Sequence, residues 1–161
     1  TPQPYSIRYP RGCGEGVEWR GLPFEKIPAG RGRKLRDGED VALLTIGTVA
    51  HFAREAAERI EREGVATVAH YDLRFVKPLD DALLEEVGKK FKKIITIEDG
   101  ILRGGVGEGV GEWVNDHGYA PQITTLSSDD SFVEHGTPQE LYALCGYDAD
   151  GVERAIRNIL R

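Results

Sequence analysis

No methionine occurs anywhere in the 161 residues, and only two cysteines do. A translated chain needs an initiator, so one that opens on Thr1 is expected to be a processed product or a piece of something longer. Cys13 and Cys145 stand far apart without metal-ligand spacing, which argues against a disulfide framework and reads as free thiols in a reducing compartment. No apolar run is long enough to span a bilayer, and the polar, proline-bearing start does not read as a signal peptide, so no membrane partner is expected. Positive charge is also in short supply. Lys and Arg number 21 against 27 Asp and Glu, a formal net charge of -6, whereas a nucleic-acid binder needs a clustered basic surface. The one basic cluster, Arg31, Arg33, Lys34 and Arg36, is followed at once by Asp37, Glu39 and Asp40, and reads as a solvated linker.

What remains is an ordinary globular composition, 40% hydrophobic and 30% charged, enough for one domain and a tail. Its organising stretch is Tyr71-Asp72-Leu73-Arg74-Phe75-Val76-Lys77-Pro78-Leu79-Asp80. Pro78 removes a backbone donor and biases Lys77 to an extended conformation, which ends a β-branched strand running from Val65. Asp80 then offers a carboxylate to cap an amphipathic helix in which Leu79, Leu83, Leu84, Val87 and Phe91 recur at helical spacing. The same plan recurs on either side. Val41 to Ile46 reads as a strand buried on both faces, followed by a helix with Phe52, Ala53, Ala56, Ala57 and Ile60 on one side and Gly64 as its left-handed cap. Lys93 to Ile97 and Gln122 to Leu126 are further strands, separated by a helix carrying Val106, Val110, Trp113 and Val114. Thr137, Pro138 and Glu140 form a capping box for a helix that ends at Gly146, and Asp148 opens a last one. Strands alternating with helices predict a mostly parallel sheet covered on both faces, with ligands beyond the carboxyl ends of the strands. Before this series, Tyr5, Ile7 and Tyr9 alternate as a lone strand over residues 1–12, and residues 13–40 read as a linker rich in Gly, Pro and charge.

The loops at those carboxyl ends hold the candidates for chemistry. Gly104-Gly105-Val106-Gly107-Glu108-Gly109 looks like a phosphate loop but completes neither the dinucleotide nor the triphosphate fingerprint; close approach of a helix start to the sheet accounts for it as well. Glu98 and Asp99 offer an acid and a base, or a turn feature. His51, His70, His117 and His135 share no ligand spacing, and Ser127, Ser128 and Ser131 lack a nucleophile elbow. Asp129, Asp130, Glu134 and His135 cluster in one loop. Residue chemistry alone assembles no catalytic site.

In combination the motifs do point somewhere. Tyr9-Pro10-Arg11-Gly12, Pro23-Phe24-Glu25-Lys26-Ile27, Ala42 to Thr48, Asp72 to Asp80, Ile97-Glu98-Asp99-Gly100 with Gly104-Gly105, and Glu134-His135-Gly136-Thr137 follow one another in this order. Together they resemble the C-terminal end of the 1-deoxy-D-xylulose-5-phosphate synthases, thiamine-diphosphate enzymes of the transketolase class. The resemblance covers essentially the whole chain. It implies that residues 1–12 are the last strand of a pyrimidine-binding domain, 13–40 an interdomain linker and 41–161 a transketolase-like C-terminal domain, an α/β fold with a mostly parallel, mixed five-stranded sheet and helices on both faces. The implied whole enzyme is a transferase and homodimer of the cytoplasm, or of the plastid stroma in a plant. It condenses pyruvate with D-glyceraldehyde 3-phosphate, releases carbon dioxide and feeds isoprenoid, thiamine and pyridoxal synthesis. Its thiamine diphosphate and Mg2+ are bound by upstream domains, so this piece is expected to bind neither, to lack catalytic and metal residues of its own, and to be inactive alone. One role carries over: Arg11 is similar to an arginine lining the site for the aldehyde's phosphate. The sequence departs from the family at Gly107-Glu108-Gly109 and at Ser127-Ser128-Asp129-Asp130. Two other readings stay open: the corresponding part of a transketolase or a 2-oxo-acid dehydrogenase β subunit, and a free-standing anion-binding regulatory module built on Gly104 to Gly109.

Overall fold

The computed structural model describes residues 4, 6, 7, 9 and 20–161. The strand expected over residues 1–12 falls largely outside these, and Arg11 and Cys13 wholly so.

Apolar runs too short for helices become the inner strands: β2 (Val41–Ile46), β3 (Val68–Asp72), β4 (Lys93–Ile101) and β5 (Gln122–Ser128). They are joined by α1 (Ala50–Arg62), entered through a short 3-10 turn, α2 (Asp81–Lys90) and α3 (Val106–Asp116); α4 (Pro138–Cys145) and α5 (Ala149–Leu160) follow β5. A fifth strand, β1 (Arg33–Arg36), precedes them all. The spatial order is β1-β3-β2-β4-β5, with β1 antiparallel to β3 and every other pair parallel. The expected five-stranded, mostly parallel sheet is therefore present, and its one antiparallel strand lies at an edge.

Alternation along the strands builds two cores. Val41, Leu43, Val68, Ile95 and Ile97 meet α1 and α5 on one face. Ala42, Leu44, Ala69, Tyr71 and Ile94 meet α2 and α3 on the other. Helix ends follow their sequence signals. Thr137 and Glu140 close the capping box, Asp148 accepts from the Gly151 amide, and Gly64 and Gly146 take positive φ at the ends of α1 and α4. Lys77-Pro78 is cis, at the corner between β3 and α2.

Two boundaries differ from the sequence reading. The region read as a linker reaches into the sheet, because Arg33–Arg36 pairs with β3. Its cationic side chains are not merely solvated: Arg33 meets Asp72, Lys34 meets Asp37 and Glu86, and Arg36 meets Glu61. Charges on an edge strand discourage further strand pairing, so a polar four-residue strand is well suited to that place. The strand expected from residue 65 starts at Val68 instead, since the Val65 amide is spent on the Ile60 carbonyl at the end of α1.

Candidate functional site

The carboxyl ends of β2, β3, β4 and β5 bring the candidate loops to one end of the molecule. At the β4 end, successive residues of a strand face opposite ways. Glu98 turns toward α3 and accepts from the amides of Val106 at 2.9 Å and Gly107 at 2.8 Å. Asp99 turns toward the other face and accepts from the Tyr147 hydroxyl at 2.9 Å. The two acids thus share no site, and the acid–base pair is not formed. Burial raises the Tyr147 phenol's pKa, and the Asp99 carboxylate adds to the shift against the opposing Ser128 hydrogen bond.

The glycine-rich turn is not a phosphate loop either. The donors at the start of α3 that an anion needs are taken by the protein's own carboxylate, and Glu98 is 5% exposed. Glu108 folds back onto the Gly104 amide. What the glycines provide is proximity: a Cβ at Gly107 would lie 2.5 Å from Thr125 Cγ2 and 2.6 Å from Thr96 Oγ1, the two threonines being hydrogen-bonded to each other. The free-standing anion module loses its site by this geometry. An open concavity of about 660 Å³ lies over the outer side of the turn, lined by Gly104, Gly105, Glu108, Gly109, Gly111 and Glu112, with no cationic side chain in its wall.

At the β3 end, Asp72 accepts from the Arg74 amide and from Arg33 Nε, both at 3.1 Å, and Arg74 takes a positive φ. Asp80 caps α2 through the amides of Ala82 and Leu83, and also receives Arg31 and the Gly32 amide. Burial pushes its pKa up, but the Leu83 and Gly32 amides and the Arg31 charge outweigh that and hold the carboxyl below the usual carboxylate range. His70, 2% exposed, shares a 2.9 Å hydrogen bond with Thr45 Oγ1. Burial, aided by the charges of Arg36 and Arg54 against that of Asp72, lowers its pKa to about 4. A groove of about 440 Å³ between β1 and α1 lies over it, lined by Arg33, Arg36, Thr48, His51 and Arg54 among others.

The other candidates stay apart. His51 bonds the Thr48 carbonyl, His117 stacks on Trp113, and His135 is exposed, so the histidines do not converge. Ser128 donates to the Cys145 sulfur at 3.7 Å and lies at the Tyr147 phenol, which is bound to Asp99, while Asp129, Asp130 and Glu134 face solvent. Among the described residues no group of three or more His, Cys, Asp or Glu could hold a metal ion, and no helix is long and apolar enough to cross a membrane. A Mg2+-diphosphate group does not fit the described residues: it needs convergent oxygen ligands and open amides, and Glu98 fills the helix start that the glycines suggested. The end of the sheet is a set of carboxylates locking loops, and the residue that sequence reasoning passed over is Asp80 in its second role.

Comparison with known proteins bears on the same elements. The profile of the transketolase C-terminal domain matches residues 30–152, which takes in β1 and every inner strand. The chain belongs to the transketolase C-terminal domain family. This transketolase-type domain is 53% identical to 1-deoxy-D-xylulose-5-phosphate synthase of Bacteroides fragilis over 159 residues, 98% of the chain and 24% of that protein. It is 49% identical to the synthase of Cytophaga hutchinsonii over 97% of the chain and 24% of that protein. The chain thus spans about a quarter of the length of these curated relatives. A split-gene transketolase solved as an inactive β4 tetramer superposes with a TM-score of 0.77 at 31% identity, over 84% of this chain and 44% of that one. Transketolase of Campylobacter jejuni, at 14% identity and a TM-score of 0.56 over 80% of this chain and 18% of that one, shares the fold.

Proposed function

We propose that this domain is the C-terminal part of a thiamine-diphosphate-dependent 1-deoxy-D-xylulose-5-phosphate synthase, which joins pyruvate to D-glyceraldehyde 3-phosphate with loss of carbon dioxide. The observation that carries the reading is the 53% identity to the Bacteroides fragilis synthase across 98% of the chain, well beyond the matched family profile. The cofactor and its Mg2+ belong to upstream domains of the same polypeptide, and the working enzyme is a cytoplasmic homodimer. Within it the present domain is a scaffold. Its strand ends are closed by Glu98, Asp72 and Asp80 and leave the described residues no acid–base pair. The structural relative is named as an inactive assembly of one kind of chain, which accords with a domain that does not catalyse alone.

Arg11 supplies this chain's contact with substrate. A guanidinium presents a planar fork of donors matching two phosphate oxygens, an arrangement that a lysine cannot reproduce. The full-length protein is expected to form the 1-deoxy-sugar phosphate and release carbon dioxide when given pyruvate and the aldehyde. Arg11→Ala is expected to raise KM for glyceraldehyde 3-phosphate by roughly ten- to a hundredfold, as loss of a charged hydrogen-bonding pair does, with KM for pyruvate unmoved. An unchanged aldehyde KM overturns the role of Arg11; failure of the full-length protein to form the product overturns the reaction.

A further inference from the structure

The sheet has two edges, and only one of them is protected. β1 carries Arg33, Lys34 and Arg36, and its register with β3 shifts between Lys34 and Arg36. Charge and irregularity are what keep an edge strand from pairing again. β5, Gln122-Ile123-Thr124-Thr125-Leu126-Ser127-Ser128, has neither. It holds no charged residue, no proline and no glycine, and its register with β4 is regular from Gln122 to Leu126.

The β5 backbone shows what that edge offers. The Gln122 amide donates to the Lys92 carbonyl at 2.8 Å, and the Ser128 carbonyl accepts from the Leu102 amide at 3.0 Å. The even-numbered residues therefore spend their backbone groups on β4. By the two-residue period, Ile123, Thr125 and Ser127 turn theirs the other way. Among the described residues nothing bonds these outward amides and carbonyls. The side chains, by contrast, are already placed. Thr125 lies against Gly107 and Thr96, and Leu126 packs on the opposite core. A partner needs to bring only a backbone edge.

Closure decides between the occupants. β5 set against β1 of another copy would build an open filament, and the cationic rim of β1 opposes that contact. The chain's own entry into the sheet lies at β1, the far edge, about 20 Å away by strand spacing. β5 set against β5 brings no like charges together, satisfies both edges at once and closes on a two-fold axis.

We propose that β5 pairs antiparallel with β5 of a second copy, with Thr125 on the two-fold axis and Ile123 opposite the partner's Ser127, so that two sheets become one. Thr125 is the centre that gives every outward residue a bonding partner. The contact rests on the homodimer proposed above and on no step of the reaction.

The experiment uses the full-length protein. Amides of Ile123, Thr125 and Ser127 are expected to exchange as slowly as those of Thr124 and Leu126, within about tenfold; an open edge alternates instead, its outward amides faster by roughly a hundredfold. Ser127→Pro removes an outward donor and leaves the bonds to β4 intact. It is expected to quicken Ile123 and Thr125 by roughly a hundredfold while Thr124 and Leu126 hold, and Ser127→Ala is expected to change neither. Spin labels on Gln122→Cys, an exposed position, are expected to report a separation of about 20 to 30 Å between copies, from the strand rise plus the label arms, against the labelled unaltered protein as background. Ser127→Pro in the same chain is expected to abolish that distance. Alternating exchange in the unaltered protein overturns the pairing. Slow outward amides with no label separation below about 40 Å overturn the second copy as occupant, since twelve strand residues span no more than that. Light scattering keeps the two proposals apart: a dimer without the short distance leaves the homodimer standing, and a monomer ends both.

Discussion

Two corners of this domain do the same job in different ways. At the β3–α2 corner, the cap is Asp80, adjacent to the helix it serves, with a proline two residues before it. At the β4–α3 corner, the cap is Glu98, eight residues before Val106 and still part of the strand, and the helix is brought to it by glycines. The first corner is written in consecutive residues. The second exists only once β4, α3 and Thr125 of β5 are packed together. A cap that depends on packing is expected to fail more severely when cut.

The largest effect should come from Glu98→Ala. Two buried amides lose their acceptor together, a cost of about 4 kcal/mol at one to three per group, measured as a fall in chemical denaturation midpoint at unchanged slope. If Glu98→Ala costs no more than Asp80→Asn, the contrast between the corners is broken. Acid comes next. The folded pKa of His70 lies near 4, below its unfolded value of 6.5, so its neutral form favours the fold; stability is intact above 6.5 and declines as pH falls from 6.5 toward 4. At 1.36 kcal/mol per unit the loss is at most about 3 kcal/mol, and His70→Gln should flatten a denaturation series over that window. Asp80, whose carboxyl is held low, adds a second loss below the ordinary carboxylate range, as pH falls through its folded pKa. The β3 side of the sheet is therefore expected to loosen in two steps on acidification, resolved by amide exchange at Tyr71 and at Leu83. Asp80→Asn at neutral pH should cost only about 1 kcal/mol, because asparagine still caps α2. Smallest of all is Thr137→Ala, at an exposed helix start, with about 0.5 to 1 kcal/mol read by thermal melting.

The contrast also explains what the sequence shows and what it hides. Val41–Ile46, the stripe of α1, the Asp80 cap and the Thr137–Glu140 box are local patterns, and each lies where the spacing puts it. β1 was hidden because a short charged segment carries no apolar period; its partner, β3, comes more than thirty residues later. The glycine turn was open to two readings because a sequence does not show what fills a helix start. Glu98 was visible as a strand-end acid, but its direction, away from Asp99, follows from the pleat. Asp80's hold on Arg31 and Gly32 spans almost fifty residues, and no spacing rule reaches that far.

The order of strands in space has a consequence for how the domain is made. Of the five strands in this sheet β1 leaves the ribosome earliest, but it cannot pair until β3, ending at Asp72, has followed it. The face under α2 and α3 holds all its helices once Asp116 has emerged, whereas the face under α1 is closed by α5, whose Val152, Ile156 and Ile159 come near the end. During synthesis one side of the sheet is thus complete while the other still shows Val41, Leu43 and Ile95 without their α5 cover. That interval of one-sided burial is when a nascent chain is most exposed to mispairing. The charged rim of β1 is then already in place along one edge of the sheet.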